Sequence, residues 1–442
     1  MSVQTVQPIQ SPSGYVESVL NQPGGVAGND RVRKQMVAFT RANFTGRWDT
    51  ASNPLANGTL SNGTDTASTY IYQHYCTNTT GNIRLTYGNG AWDALGPNAI
   101  TVKASVQDSA GNIYPVFFGG ARTVTIQPGA FATSDELGLN ISKGDYVWSI
   151  TYVSVASAGQ KWPIGMVYQF IYEGVNTGDL TATGTAGITT TLGVGYGPAA
   201  IYGEVSNDAK CVALIGDSIF AGAGGFCYVP NFGLCYDYPW EIACMDDGVL
   251  GRKMGAGMAH VRLFKGGESA QQWLAPATRA LRQRMLKGCT HAVVEYFRND
   301  AFSLTTLAQF QSTYISLWKM LLAQGIRVHQ CTALPMATST DGWATLVNQT
   351  TDSSNAVRVL FNNWLRDGAP MVGGAGVAAG TVGALRAGAT GHPLAGYIEA
   401  ADCVESSRDS GLWKVGDTGD AIHPTQQGNN DLSTAFTTAI FQ

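Results

Sequence analysis

The first half of the chain alternates apolar and polar residues over short runs. Gly, Asn, Asp and Pro separate these runs at hairpin distances, and no long helical pattern interrupts them. The runs lie at 82–87, 123–126, 145–152 and 167–172. This pattern predicts an all-β domain, a β-sandwich or jelly roll, over residues 1–205. The Gly/Thr-rich stretch from 177 to about 200 has no clear apolar period and is predicted to be a connector.

From Cys211 onward, strand and helix patterns alternate. Short apolar runs predict strands at 212–215, 260–264, 292–296, 326–331 and 397–400. Helical segments are predicted between and after them at 277–287, 304–324, 354–366 and 425–441. The alternation predicts an α/β domain over residues 206–442, with a parallel sheet covered by helices on both faces. In such sheets, reactive groups gather beyond the carboxyl ends of the strands.

Length and composition agree with two domains and a β-rich extracellular or particle-surface protein. The 442 residues exceed what one hydrophobic core usually supports, and only 13% of them are charged. The net charge of −4 and the lack of a basic cluster argue against nucleic-acid binding. No stretch approaches the roughly 18 apolar residues that span a bilayer. Residues 1–14 lack a signal-peptide pattern, so we expect a protein whose signal peptide was removed or one carried on a virus particle.

A serine and a histidine in the α/β half have the residue types for nucleophilic catalysis. Ser218 ends the Gly-Asp-Ser motif after the first strand, where a strand-to-helix turn presents its hydroxyl to backbone N–H groups. The alternative is a helix cap, for which Asp and Ser are also favoured. His423 is the type of residue that takes a proton from a serine, and Asp420 is spaced to accept from its other ring nitrogen. The eight cysteines follow no metal-ligand spacing, and neither a metal nor a cofactor is expected.

Two further motifs follow the second and third predicted strands. At Gly267 the backbone N–H can approach a substrate without interference from a Cβ, as an oxyanion donor must. Asn299 carries a side-chain amide that can serve the same oxyanion. Taken alone, the Gly267 motif is more typical of an ordinary turn between strand and helix, and the alternative for the Asn299 motif is a helix cap, with Asp300 starting the helix. Ser, Gly, Asn and Asp-x-x-His in this order, each at the predicted rim of the sheet, are far more specific together.

The four motifs resemble the four blocks of the SGNH, or GDSL, hydrolase family. The resemblance implies a flavodoxin-like three-layer fold and ester hydrolysis through an acyl-serine intermediate. It makes Ser218 the nucleophile, His423 the base and then the acid, and Asp420 the residue that orients His423. The N–H groups of Ser218 and Gly267 and the amide of Asn299 would form the oxyanion hole.

The β half carries a second resemblance. Its segments Phe117-Phe-Gly-Gly, Pro128-Gly129 and Ser134-Asp135 are similar to motifs of the accessory domain that precedes some family members. The resemblance implies an N-terminal β-sandwich accessory domain, as in some members that resemble carbohydrate esterases.

Two departures from the family pattern suggest substrate contacts. The third block usually reads Gly-x-Asn-Asp, but here Phe297 replaces the glycine and Arg298 precedes the asparagine, which places a ring or a cation against the substrate. Residues 222–258 form a long aromatic insertion that includes Trp240. This insertion walls a substrate cleft or stacks on sugar rings; the alternative is a lid or domain interface. With Asp217, these residues are the candidates for substrate binding.

Three functions follow from these observations. The first is deacetylation of a carbohydrate, with an acetylated glycan as the partner and no nucleic acid or membrane. The second is a broad-range or lipid esterase, which would prefer longer acyl chains. The third is a glycan-binding or virion module whose esterase site is weak or vestigial. The sequence leaves the oligomeric state open.

Overall fold

The chain forms two compact units, which divide between Ala209 and Lys210. The computed structural model describes residues 34–36, 60–76, 78–91, 94–143, 145–166, 174–187, 194–206, 209–220, 259–436 and 438–441. Each unit has its own cluster of buried apolar side chains. The molecule is mixed α/β, with antiparallel strands in the first unit and alternating strands and helices in the second.

Antiparallel strands make up the sheets of the first unit. One sheet has the spatial order Lys34–Met36, Ala200–Glu204, Gly81–Gly88, Phe131–Thr133. The other sheet has the order Gly174–Asn176, Ala67–Tyr75, Tyr146–Ser154, Ile100–Asp108. The strand Ile100–Asp108 also pairs with two short strands, Ile113–Pro115 and Thr123–Ile126. Two short pairs are Gly90–Ala91 with Ala94–Leu95 and Gly165–Met166 with Val194–Gly195.

Alternation of side chains builds the core of this unit. Along Thr123–Ile126, exposed threonines alternate with buried Val124 and Ile126. Both large sheets contribute to one core, as Leu85 and Val102 show. The strands predicted at 82–87, 123–126 and 145–152 are confirmed, and the one predicted at 167–172 lies outside the described residues.

A connector was predicted over 177–200, of which the structure describes residues 177–187 and 194–200. This stretch contains a 3₁₀ turn at Gly184–Gly187 and enters the first sheet at Ala200. Polar contacts hold it against the second sheet, since the Thr181 carbonyl accepts from Ser105 Oγ at 2.7 Å and Asp179 pairs with Lys103 Nζ at 2.6 Å. Because polar contacts rather than buried apolar side chains hold this stretch, its sequence shows no apolar period.

A five-stranded parallel sheet organises the second unit. Its strands are β1 (Cys211–Gly216), β2 (Ala259–Arg262), β3 (His291–Glu295), β4 (Arg327–Cys331) and β5 (Leu394–Ile398). The spatial order is β2-β1-β3-β4-β5, and every pairing is parallel. The order reverses at β1, so a crevice is expected between the carboxyl ends of β1 and β3.

The helices of this unit lie between and after the strands. They span Ala270–Leu274, Pro276–Arg279, Leu307–Leu322, Asn355–Arg366, Ala401–Val404 and Gln426–Ser433. Turns of 3₁₀ helix span Arg282–Gly288, Asp300–Phe302 and Thr438–Phe441, and two hairpins pair Ala337–Ser339 with Gln349–Thr351 and Met371–Val372 with Ala375–Gly376. The helix Leu307–Leu322 begins at a capping box of Thr306 and Gln309, and its apolar stripe is buried.

Several predicted boundaries in the second unit differ from the structure, among them the helix predicted at 304–324, which spans Leu307–Leu322. The helix predicted at 277–287 is a four-residue helix followed by a 3₁₀ turn, from which the Arg282 side chain points inward to an ion pair. The last helix ends at Ser433 instead of 441. β5 begins at Leu394, three residues before the predicted start at 397.

Candidate active site

The carboxyl ends of β1, β2 and β3 meet at one edge of the parallel sheet. β1 ends at Gly216, which pairs with Glu295 at the end of β3. Beyond β2 the chain stays bonded to β1, with the Leu263 N–H donating to Leu214 O at 2.8 Å and the Lys265 N–H donating to Gly216 O at 3.0 Å. The Gly-Asp-Ser, Gly-Gly-Glu and Arg-Asn-Asp segments therefore leave the sheet side by side.

A close approach to Glu295 explains the glycine of Gly-Asp-Ser. A Cβ at Gly216 would lie 2.8 Å from the Glu295 carbonyl oxygen and 3.1 Å from its Oε2. A larger residue would force β1 and β3 apart. Glycine thus allows the turn that carries Ser218 to start at the edge of the sheet.

Ser218, His423 and Asp420 form a continuous chain of hydrogen bonds. Ser218 Oγ lies 2.8 Å from His423 Nε2, and His423 Nδ1 lies 2.6 Å from Asp420 Oδ2. In this arrangement an imidazole can take the serine proton while the carboxylate holds the ring in the Nδ1–H tautomer. The structure brings together the three residues that the sequence predicted as nucleophile, base and orienting acid.

The loop around His423 is held by its own hydrogen bonds. Asp420 Oδ1 accepts from the backbone N–H of Ile422 at 2.9 Å and of His423 at 2.7 Å. Thr418 Oγ1 donates to the His423 carbonyl at 2.9 Å. Ala421 adopts a left-handed φ of 78°, which is costly for a residue with a Cβ. The tight turn lets one carboxylate bond both the backbone and the ring of His423.

These hydrogen bonds keep Asp420 ionised. Burial raises the pKa of Asp420, but the bonds from the His423 ring and backbone and from the Ile422 N–H outweigh burial and lower the pKa to about 2. The carboxylate therefore carries its charge across the physiological range. A charge at this place stabilises the imidazolium that forms when His423 takes a proton.

Two backbone N–H groups in these segments are free for an external acceptor. In the described part of the chain, neither the N–H of Ser218 nor that of Gly267 has an acceptor. Gly267 adopts a φ of 73°, and a Cβ there would meet nothing within 4 Å. Conformation rather than space therefore favours glycine at this position. Free N–H groups are what an oxyanion hole requires.

The amide of Asn299 is bonded inside the protein. Its Nδ2 donates to Asp217 Oδ2 at 2.8 Å and to the Glu268 carbonyl at 3.0 Å. These two bonds use both hydrogens of the amide. Asn299 thus ties the Gly-Asp-Ser turn to the turn after β2, and its predicted role as an oxyanion donor requires that one bond be shared with the substrate.

The chain is similar to solved GDSL-like and carbohydrate esterase structures. A GDSL-like lipase from Bacteroides thetaiotaomicron aligns with 52% of this chain and 88% of its own, at 12% identity and a TM-score of 0.33. A family two carbohydrate esterase from Cellvibrio japonicus aligns with 85% of this chain and 97% of its own, at 12% identity and a TM-score of 0.32. A carbohydrate esterase family 2 enzyme with a carbohydrate binding domain from Corynascus thermopiles (Myceliophthora fergusii) aligns with 89% of this chain and 97% of its own, at 12% identity and a TM-score of 0.32.

No protein-family model and no curated protein sequence matches the chain. Across the described ranges, no helix is long and apolar enough to cross a bilayer. In the same ranges, no group of three or more His, Cys, Asp and Glu side chains is placed to hold a metal ion.

Two of the four predicted substrate-binding residues are buried. Asp217 is 1% exposed, and its carboxylate accepts from the N–H of Ile219 at 2.9 Å and from Asn299. Its oxygens are occupied within the protein, so the prediction that it contacts substrate was wrong. Phe297 is 3% exposed, and its ring stacks on Phe310 at 4.4 Å between centroids. The ring that replaces the usual glycine belongs mainly to the core.

The other two candidates have different outcomes. Arg298 is partly exposed, donates to Asp352 Oδ2 at 3.2 Å, and lies over the ring of Phe302 at 5.7 Å. Phe302 itself is 78% exposed. Arg298 therefore remains a candidate for substrate contact. Trp240 and the aromatic insertion at 222–258 lie outside the described residues.

A buried ion pair that was not predicted from the sequence supports the turn after β2. Arg282 bonds Glu268 through both terminal nitrogens, at 2.9 and 2.5 Å, and both side chains are fully buried. Tyr296 Oη also donates to Glu268, at 2.6 Å. The sequence shows Glu268 directly after Gly267. Its partner Arg282 lies 14 residues later, in a segment predicted to be a helix, so the pair was not predicted.

Asp300 links the second and third motifs. It is fully buried, and it accepts from the N–H groups of Ala270 and Gln271 at 3.0 and 3.3 Å and from Tyr314 Oη at 3.2 Å. Burial raises the pKa of Asp300 to about 6. Asp300 begins the 3₁₀ turn Asp300–Phe302, and its carboxylate also caps the helix Ala270–Leu274 from this separate segment.

Proposed function

We propose that the protein is a serine esterase of the SGNH type that removes small acyl groups, chiefly acetyl, from carbohydrates. The observation that carries the proposal is the hydrogen-bonded chain of Ser218, His423 and Asp420. Under this proposal the second unit is a flavodoxin-like catalytic domain, and the first is a β-sandwich accessory domain. The protein acts outside the cell or on a virus particle.

The reaction has two halves. Ser218 Oγ attacks the ester carbonyl while His423 Nε2 takes the hydroxyl proton, and Asp420 stabilises the imidazolium. The tetrahedral intermediate collapses when His423 gives that proton to the departing sugar oxygen, which leaves an acyl-serine. His423 then takes a proton from water, the hydroxide attacks the acyl carbon, and His423 returns the proton to Ser218 as acetate leaves.

The oxyanion of each intermediate is held by hydrogen-bond donors. The free N–H groups of Ser218 and Gly267 supply two of them. Asn299 supplies the third by sharing one N–H that otherwise bonds Asp217 or Glu268. Donors aimed at charge that develops in the transition state commonly contribute about 100-fold or more to the rate.

A small pocket favours short acyl groups. It is lined by Ile219 and Ile422, which are next to the triad in sequence, and by Leu334, Pro335, Met336, Phe297, Glu295 and Arg298. The room that the described residues leave there is close to that of one water molecule. An acetyl methyl group is of that size, and a long acyl chain is not.

An exposed aromatic ring favours a sugar as the alcohol part. Phe302 lies three residues after Asn299, at the carboxyl end of β3, and 78% of it is exposed. Sugar rings bury their apolar faces on such rings, and the Arg298 guanidinium beside it offers hydrogen bonds to hydroxyl groups. Phe302 and Arg298 together are the proposed contact for the carbohydrate.

The first experiment compares acetate release from p-nitrophenyl acetate by the wild type, Ser218→Ala and Ser316→Ala. Ser316 is an exposed serine on the helix Leu307–Leu322 and serves as the matched control. We expect Ser218→Ala to lose at least about 1,000-fold in kcat and Ser316→Ala to equal the wild type. Equal activity of all three, or none in a folded wild type, would contradict the proposal.

The second experiment measures acyl and alcohol specificity. We expect acetyl esters to be cleaved faster than butyryl and octanoyl esters, and acetylated polysaccharides to be deacetylated. Preference for octanoyl esters would instead indicate the broad-range or lipid esterase. Glycan binding without ester cleavage would indicate a binding module. Phe302→Ala is expected to raise KM for the polysaccharide and to leave p-nitrophenyl acetate hydrolysis unchanged.

A further inference from the structure

Two buried carboxyl groups lie next to each other beneath the turn that carries Ser218. Asp217 is 1% exposed and Glu295 is 7% exposed. A Cβ on Gly216, the residue before Asp217, would lie 3.1 Å from Glu295 Oε2, so Glu295 reaches the backbone beside Asp217. Burial raises the pKa of both acids, and a hydrogen bond between their side chains acts to lower the pKa of Asp217 and to raise that of Glu295. Two carboxyl groups form such a bond only when one of them holds a proton. In the described part of the chain, neither acid forms an ion pair with Arg or Lys.

The surroundings decide which acid keeps the proton. Asp217 accepts from the Ile219 N–H and from Asn299 Nδ2, and both bonds favour its charged form. Glu295 has one backbone donor, the Asp217 N–H, which acts to lower its pKa, and no N–H or hydroxyl donor among the described residues reaches its Oε2. Burial raises the pKa of Glu295 well above its ordinary value. The proton therefore resides on Glu295, and Asp217 is the carboxylate.

We propose that Glu295 is a positioning residue that, by donating its proton to Asp217, holds Asp217 in the place from which it orients the Asn299 amide. The proposal rests on the proposed function, in which Asn299 is an oxyanion donor. Glu295 also lines the small pocket beside Ile219 and Ile422, but the role proposed for it is not in the bond-making steps. It acts through Asp217, whose Oδ2 is 2.8 Å from the Asn299 nitrogen.

The groups that face the pair allow it only one charge. They are His423 on its loop, Tyr296 and Asp300 after β3, Tyr314 on the helix Leu307–Leu322, and Cys331 at the end of β4. Asp300 adds negative charge nearby, and burial raises the pKa of Tyr296, Tyr314 and Cys331 so that they stay neutral. Arg298 lines the same small pocket as Glu295 but is paired with Asp352. Of the other groups named, only His423 can bring a positive charge, when it holds the serine proton.

The position of the proton is tested by unfolding at several pH values. Glu295 releases a proton on unfolding above a pH of about 4.5, since its pKa is higher in the folded than in the unfolded chain. The contribution of Glu295 to the free energy of unfolding of the wild type therefore decreases as the pH rises. Glu295→Gln keeps a donor toward Asp217 and has no proton to lose. The urea midpoint of this variant should therefore rise relative to that of the wild type as the pH increases from 5 to 8. A constant difference would overturn the proposal.

The route through Asn299 is tested by a double-mutant cycle. Glu295→Leu has a similar volume but no donor, and we expect it to lose about tenfold in kcat with little change in KM, a part of what an oxyanion donor contributes. Glu295→Gln should stay within about threefold of the wild type. In the Asn299→Ala background, Glu295→Leu should have no further effect. The same tenfold loss there would overturn the proposal.

A third measurement needs no activity, so failure of the esterase proposal and failure of this one are distinguishable. The side-chain amide resonances of Asn299, assigned by their loss in Asn299→Ala, report on its orientation. We expect them to shift in Glu295→Leu and to stay in place in Glu295→Gln. Unchanged resonances in both variants would show that Glu295 does not position Asn299.

Discussion

The two units of the protein bury different kinds of polar group. Within the described ranges, every buried Asp, Glu and Arg lies in the second unit: Asp217, Glu268, Arg282, Glu295, Asp300, Arg358, Glu405 and Asp417. The first unit buries hydroxyl, amide and imidazole groups instead, such as Ser134, Asn89 and His74. Burying a charge costs far more than burying a hydroxyl or an amide unless a partner compensates it.

The buried charges of the second unit fall into two classes. Glu268 with Arg282, and Glu405 with Arg358, are ion pairs. The remaining four are acids that have no ion-pair partner among the described residues, and burial raises the pKa of each: Asp217, Glu295, Asp300 and Asp417. The first three adjoin the segments of Ser218 and Asn299, and the fourth begins the loop of His423. Acids of this class concentrate at functional sites, so the comparison favours the second unit as the place of the chemistry.

The largest effect is expected when an aspartate is replaced by asparagine in each unit in turn. Asp420→Asn removes the acceptor that fixes the His423 tautomer, and we expect kcat to fall about 1,000-fold. Asp108→Asn makes the same change to a carboxylate of the first unit that accepts from Asn112 and Tyr114. It should leave kcat unchanged. The two variants are compared by initial rates on p-nitrophenyl acetate, and similar losses in both would break the comparison.

The next effect concerns stability. Arg282→Met leaves Glu268 buried without its cation and should destabilise the second unit by about 3 kcal/mol or more. Arg84→Met in the first unit breaks the partly exposed pair with Glu136 and should cost less than about 1 kcal/mol. Urea unfolding followed by tryptophan fluorescence measures both. Equal losses would show that burial of the pair does not matter.

Asn299→Ala should have a smaller effect that is confined to activity. It removes one oxyanion donor, and we expect kcat to fall about 100-fold with a small change in KM. Asn363→Ala, on the helix Asn355–Arg366, is the matched control. A large rise in KM with unchanged kcat would mean that Asn299 binds the ground state and does not stabilise the oxyanion.

The smallest effect is expected in the first unit. Ser134 Oγ is buried, accepts from the Leu85 N–H at 2.9 Å and donates to the Asp135 carbonyl at 2.8 Å. Ser134→Ala should cost about 1 kcal/mol of stability and leave activity unchanged. Steady-state rates and the urea midpoint test this together. A loss of activity would show that the first unit takes part in the reaction.

The parts of the fold that apolar patterns specify could be predicted from the sequence. The runs at 212–215 and 292–296 predicted β1 and β3 to within a residue or two, because wholly apolar runs are typical of buried parallel strands. Ser218, Asp420 and His423 could be singled out because their types match one chemistry and their places follow from the strand order. Their roles in catalysis remain predictions.

The buried charges could not be predicted in the same way. Glu295 ends an apolar strand, where an acid usually points to solvent, and only the pairing of Gly216 with Glu295 shows that it turns inward. Arg282 lies in a stretch whose apolar spacing imitates a helix, and its ion pair with Glu268 is long-range. Asp217 was taken for a substrate contact because its burial depends on those same neighbours.

The most direct test of the esterase proposal is covalent trapping of the nucleophile. A fluorophosphonate is incubated with the wild type, Ser218→Ala and His423→Ala, and peptide mass spectrometry locates the adduct. We predict one adduct, on Ser218, formed by the wild type and lost or strongly slowed in both variants. A folded wild type that forms no adduct on Ser218, or one that forms as fast without His423, would contradict the account.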